Sequence, residues 1–306
     1  MATPITGPRP SVRRPLRRWL WALGLGPIAG IAAASWWFTA PLEDRSPPST
    51  APVAVAPTPP PPADTDPGWP EAVEEGEPAK RRLLAILLRD RALLASHVGY
   101  TATLRKQERM RGKLLPEQTI AMKVRNKPFG IYLKFLAPKL GKEVLYAQGH
   151  HDDKVIAHNG DWTRMLVPRL AVAPTDPIAL ADTRHPVTEA GLSALVEKLI
   201  GFRKMDLEQP AAVTILDLAT VDGRPWLRSL HLHTDPHAGR PFARVEVLYD
   251  PETRLPAQIR NHAFPEPGHT GEPLLAERYA YHDLRWADDL TDRDFDPANP
   301  SYAFMR

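Results

Sequence analysis

The apolar and polar positions divide the chain into four stretches. Residues 19–40, WLWALGLGPIAGIAAASWWFTA, carry no charge. As a helix rising 1.5 Å per residue they reach about 33 Å, enough for a hydrocarbon core of about 30 Å. Trp19 and Trp21 stand at one end and Trp36 and Trp37 at the other, where indole rings favour the headgroup zone. Residues 79–98, AKRRLLAILLRDRALLASHV, place Leu83, Leu84, Leu87, Leu88 and Leu94 at helical spacing between charges. This predicts an amphipathic helix, either facing a core or lying on a membrane surface.

From Tyr100 the period becomes two. Ile120, Met122 and Val124 share one face of a strand, and Ile131, Leu133 and Phe135 one face of the next. Short strands are expected at 144–147, 155–158 and 162–167, divided by turn signals such as Asn159-Gly160. Leu192, Leu195, Val196 and Leu199 predict a second helix, capped by Thr188 with Glu189 behind it and ended by Gly201. Further strands follow at 213–218, 226–233, 244–249, 256–264 and 274–284, with Asp250-Pro251-Glu252-Thr253 as a type I turn and Gly268 and Gly271 marking another. The fold class is α+β: a curled antiparallel sheet of about ten strands with two helices, preceded by one transmembrane helix. Wherever helices leave the curl unfilled, an apolar cavity remains, and Ile120, Met122, Val124, Ile131, Leu133 and Phe135 are the expected ligand-binding lining.

Charge orients the molecule. Residues 1–18 hold Arg9, Arg13, Arg14, Arg17 and Arg18 and no acid, whereas Glu43 and Asp44 follow the apolar run. The positive-inside rule then puts residues 1–18 in the cytoplasm and everything after Pro41 outside. The alternative is a cleaved signal peptide, for which Ala32 and Ala34 supply an A-x-A pattern. Residues 41–78 hold twelve prolines and eight acids, a composition that cannot bury a core and favours an extended linker. Residues 79–306 form the extracytoplasmic domain. No dense basic stripe accompanies the sequence pI of about 9.1, so no nucleic-acid partner is expected. The absence of Cys excludes disulfides, thiolate chemistry and a lipidated N-terminal Cys.

Catalytic motifs are missing. There is no P-loop, G-x-G-x-x-G or G-x-S-x-G, so no cofactor and no catalytic residue is assigned. His150, His151, Asp152 and Asp153, with His158 nearby, read as turn polarity rather than a metal site. His231 and His233 share a strand face and, with His237, could ligate zinc; the alternative is a solvated outer face, with Trp226, Leu230 and Leu232 lining the other side. Glu108, Arg109 and Arg111 could hold an anionic headgroup, or serve as exposed charges on an edge strand. No metal is expected.

Several segments together carry a resemblance: YTATLRKQERMRGKLLPEQTIAMKVRNKPFGIYLKFLAPKLGKEVLY at 100–146, RHPVTEAGL at 184–192, LYDPETRLPAQIRNH at 248–262, then ERYAYHDL and DFDP. They resemble the bacterial family known as domain of unknown function 1571, over about residues 97–304, which has no established activity. The C-terminal third is more loosely similar to periplasmic lipoprotein carriers of the LolA and LolB type, through the hairpin Asp250 to Pro256, the strand Tyr279 to Leu284 and the closing Phe295. That similarity implies a half-barrel sheltering acyl chains. The expectation is therefore a single-pass protein of the bacterial inner membrane whose periplasmic domain binds a lipid, a lipoprotein or other apolar cargo without catalysis. The alternative is a non-catalytic envelope scaffold or interaction module with a protein partner.

Overall fold

A computed structural model describes residues 67–160, 169–209, 212–234, 239–266 and 271–304. The apolar run 19–40, the strand expected at 162–167, His237 and Gly268 lie outside them. No helix among the described residues is long and apolar enough to cross a membrane.

Among the described residues thirteen strands form one antiparallel sheet. They are β1 (Glu74–Glu75), β2 (Gly99–Met110), β3 (Lys113–Leu114), β4 (Gln118–Arg125), β5 (Gly130–Ala137), β6 (Glu143–Ala147), β7 (Val155–His158), β8 (Leu170–Val172), β9 (Val213–Val221), β10 (Arg224–Leu232), β11 (Arg244–Tyr249), β12 (Pro256–His262) and β13 (Leu275–Trp286). Their order is β1-β9-β10-β11-β12-β13-β2-β4-β5-β6-β7-β8, with β3 paired to β2 alone. A sheet this wide curls, and two helices fill its inner face. They are α1 (Gly76–Ser96) and α2 (Leu192–Glu208).

α1 begins three residues earlier than its apolar spacing indicates and is already preceded by β1. It buries Ala79, Leu83, Ile86, Leu87 and Leu94. Each fully buried leucine or isoleucine contributes about 1.5–3 kcal/mol. α2 departs from expectation at both ends. Thr188 does not cap it, because a 3-10 turn, Val187–Glu189, comes between. Gly191 holds the N-cap position at φ 94, and the Leu192 N–H donates to the Tyr100 hydroxyl at 2.7 Å instead. Gly201 does not end it, since the helix continues for another two turns to bury Arg203 and Asp206.

The chain turns at Asp250 as expected, but the backbone bond that closes the turn runs from the Arg254 N–H to the Asp250 carbonyl at 2.8 Å, one residue later than in a type I turn, while Oδ1 accepts the N–H groups of Glu252 and Thr253, each at 2.8 Å. The outer face of β5–β7 is covered by the C-terminal tail. Tyr132, Leu145 and Ile156 pack there with Tyr302 and Phe304, and the rings of Tyr132 and Tyr302 stack at 3.9 Å. Phe295 is buried against Gly130, where any side chain would meet the ring at 3.0 Å.

Candidate functional site

The six apolar residues singled out from sequence form three directly opposed pairs on the inner face: Ile120 with Phe135, Met122 with Leu133, and Val124 with Ile131. All belong to the core that includes both helices, and all but Leu133 are buried outright. The stripe continues sideways into Tyr100, Ala102 and Leu104 of β2 and Tyr146 of β6.

The sequence reading missed a segment fastened at the rim of this face, beside the two helices that fill it. Between β8 and α2, residues 173–191 form a strap without regular strand or long helix. Val187 and Ala190 pack it on the core, and its other fastenings are polar. Asp182 pairs with Lys139 in the β5–β6 turn. Thr183, Arg184 and His185 close on two carboxylates, Glu108 and Glu277, which lie directly opposite each other on β2 and β13. Glu108 accepts the Arg184 N–H at 3.1 Å and the Tyr279 hydroxyl, and Lys106 Nζ lies 3.2 Å from it. Lys106 also donates to the Thr183 hydroxyl at 2.7 Å. Glu277 pairs with Arg184 Nε at 2.8 Å and His185 Nε2 at 3.0 Å, and accepts from Asn261 Nδ2 at 2.8 Å.

Glu108 is therefore not an exposed charge on an edge strand, because β2 runs between β13 and β4 and the residue is 2% exposed. Burial alone would raise the Glu277 pKa; the His185 hydrogen bond, the charges of His185 and Arg184 and the Asn261 amide outweigh it and hold the carboxyl below its ordinary range. Donors from the strap and from β2, β12 and β13 converge on these carboxylates, so the cluster binds chain to chain. Three segments that carried the sequence resemblance meet here: Lys106 and Glu108 from the first, Arg184 and His185 from the second, Glu277 and Tyr279 from the last. The available signal was charge at inward parity: Tyr100, Ala102, Leu104, Lys106 and Glu108 alternate along one strand.

A second buried polar cluster lies under the end of α2. Asp206 takes Arg240 Nη2 at 2.5 Å and Arg203 Nε at 2.8 Å, and His233 Nε2 approaches at 3.5 Å. Lys80 Nζ donates to the Asp206 carbonyl at 2.9 Å, placing a cation at the helix C-terminus. His231 is fully buried, its ring nitrogens facing Thr214 Oγ1 at 3.1 Å and Ser229 Oγ at 3.2 Å. This reverses the solvated-face expectation for His231 and His233. They share the buried side of β10 with Leu227 and Ser229, and Leu232 is the exposed one. Burial, then the cations Arg203, His233, Arg240 and Lys80, push the His231 pKa well below 6.5. Among the described residues no three His, Asp or Glu side chains are arranged to hold a metal ion. His150–Asp153 form an exposed turn.

Among the indentations of the described surface are two grooves. One, about 290 Å³, lies between α1 and α2 over Leu94, Asn126 and Ser193. The other, about 340 Å³, runs along the outer face by Thr101, Thr103, Ala121 and Lys123, with Met122 in its lining.

Residues 97–304 match the model of the family described as protein of unknown function DUF1571. No curated protein sequence matches the chain. Among solved structures, similarity is found to the lipoprotein LppX of Mycobacterium tuberculosis, at 13% identity and a TM-score of 0.37, over 72% of this chain and 100% of that one. A DUF1329 family protein of Desulfovibrio piger aligns at 11% identity and 0.34, over 70% and 95%. A domain described as an outer membrane lipoprotein-sorting protein of Vibrio parahaemolyticus aligns at 11% and 0.31, over 69% and 94%.

Proposed function

The chain belongs to the DUF1571 family, and from that premise we propose that its domain is a non-catalytic binder of apolar cargo, a lipid or the acyl chains of a lipoprotein. One observation carries the reading. Three opposed apolar pairs run along the inner face, and the strap at its rim is fastened by ion pairs and hydrogen bonds besides the packing of Val187 and Ala190. A cover held by polar contacts at its rim can be released in water, which solvates the freed groups, while the apolar stripe beneath takes an acyl chain in its place. Ile120, Met122, Val124, Ile131, Leu133 and Phe135 are the proposed contact residues. Cargo should therefore co-purify with the full chain and appear in an organic extract by mass spectrometry. A clean extract, with no uptake of a fluorescent fatty acid, refutes the proposal.

A second reading, an envelope interaction module with a filled core, is favoured by one feature: both grooves are open to solvent, and the stripe is packed by side chains. The clean extract is the result this reading requires.

We further propose that residues 19–40 hold the protein in a bacterial inner membrane, with the N-terminus cytoplasmic and the domain periplasmic. Length of the uncharged run, the flanking tryptophans and the arginine asymmetry support it. An alkaline phosphatase fused after residue 78 should be active, and an inactive fusion refutes the orientation.

A further inference from the structure

The apolar stripe ends among lysines. Phe135 closes it at the β5–β6 turn, and Lys142 Nζ lies 5.2 Å from the centre of that ring. Lys142 makes no ion pair among the described residues. Burial, and then repulsion from Lys139 and Lys106, lowers its pKa. Lys106 projects from the inner side of β2, in line with Leu104 and Ala102. Gln118, its partner across β4, is 7% exposed, and its Oε1 meets no hydrogen-bond donor. Lys139 pairs with Asp182 of the strap.

Asp182 occupies a telling place. Its carboxyl is held below the ordinary range by the Lys139 hydrogen bond, then by the charges of Lys139, Lys142 and Lys106 against a cost of burial. Lys106 has its own anion in Glu108, 3.2 Å from its Nζ, so the half-exposed Asp182 carboxylate, paired with Lys139, is the one left to answer Lys142 at the end of an apolar track. From Gln118 to Val124 that track is about 20 Å long at the rise of a strand. Leu136, Leu140 and Ile178 stand exposed on the two segments that the Lys139–Asp182 pair ties together, an apolar approach to the same end. A buried or half-buried cation without its own anion is costly, and the neighbouring lysines cannot relieve it.

We propose that Lys139 and Lys142 form the head-group site for an amphiphile with an acidic head, carboxylate or phosphate, and that Asp182 holds the place of that head while no amphiphile is bound. The proposal rests on the apolar-cargo reading and names its chemical class. The tail lies along Ile120, Met122 and Phe135, and the head displaces Asp182 from Lys139, loosening the strap at that point.

The test compares hexadecanoate, hexadecyl phosphate and hexadecanol as competitors for a neutral fluorescent lipid probe on the purified full chain. Both acids are expected to bind at least about tenfold more tightly than the alcohol, the worth of one charge-assisted hydrogen bond. Lys142→Met keeps the stem over Phe135 and is expected to erase most of that preference while leaving hexadecanol unchanged. Asp182→Asn is expected to tighten both acids by several-fold, since the internal competitor has lost its charge. Inorganic phosphate alone is expected to leave the probe in place. Equal affinity for acid and alcohol in the wild type overturns the head-group site and leaves the apolar reading standing. Displacement of the probe by inorganic phosphate overturns the amphiphile form. Failure of all three amphiphiles and the probe to bind overturns the cargo reading, and the head-group site with it.

Discussion

Glu277→Gln removes one charge from the strap's fastening and preserves its shape. The wild-type carboxylate meets Arg184, His185 and Asn261 at 2.8, 3.0 and 2.8 Å. The amide still accepts from Asn261 but turns an NH2 group toward one of the other two donors. A hydrogen bond to a charged group contributes about 1.5–3 kcal/mol. The Arg184 and His185 side chains are 34% and 36% exposed, so water screens both and the two contributions shrink. Glu108 stands directly opposite, and relief of that like-charge contact returns up to about 1 kcal/mol. The balance is a loss of about 1–2 kcal/mol, a factor of roughly 5–30 in a local opening equilibrium. Amide exchange should therefore quicken by that factor across residues 182–190, with β4 and β5 unaffected in their own exchange. Because the folded-state pKa of Glu277 is lowered, its contribution is complete above the ordinary Glu range and disappears as pH falls through the lowered value. The variant should lack that acid-dependent loosening. Unchanged strap exchange in Glu277→Gln, alongside a lower urea midpoint, would show that the carboxylate holds the sheet together and not the strap, refuting the reasoning.

Two further outcomes follow from buried groups. The unfolded chain protonates His231 near pH 6.5 while the fold resists it, so stability should fall as pH drops below about 6.5, by up to about 1.4 kcal/mol per unit; urea titrations should show this slope reduced in His231→Leu, and an identical slope would assign the effect to other groups. Tyr100→Phe leaves the Leu192 N–H buried without its acceptor and should cost about 1–2 kcal/mol in urea unfolding, with exchange quickened in the first turn of α2; unchanged exchange there would mean another group satisfies that N–H.

What was legible in the sequence had a clean period. The alternation through Ile120–Val124 and Ile131–Phe135 placed six residues on one face, and the structure opposes them in three pairs. β10 misled because both of its faces carry apolar residues: Trp226, Leu230 and Leu232 on one, Leu227 on the other. Its inner face also holds Ser229 and His231, polar because they lie beneath the charged end of α2, a long-range neighbourhood that local pattern does not encode. Gly201 sits inside α2 because the tertiary contacts of Arg203 and Asp206 override a weak helix former. The strap has no period to read; its meaning lies in Glu108 and Glu277, separated by 169 positions along the chain and adjacent only once β13 pairs with β2.

The central claim is that an acyl chain lies on the inner face beneath the strap. A fatty acid carrying a photoreactive diazirine near its tail, irradiated with the purified full chain and mapped by peptide mass spectrometry, tests it most directly. Adducts are expected within residues 118–125 and 130–137, on Ile120, Met122, Val124, Ile131, Leu133 or Phe135, suppressed by excess unlabelled fatty acid. Adducts confined to the outer face around Thr101, Ala121 and Tyr132, or no saturable adduct at all, would contradict it.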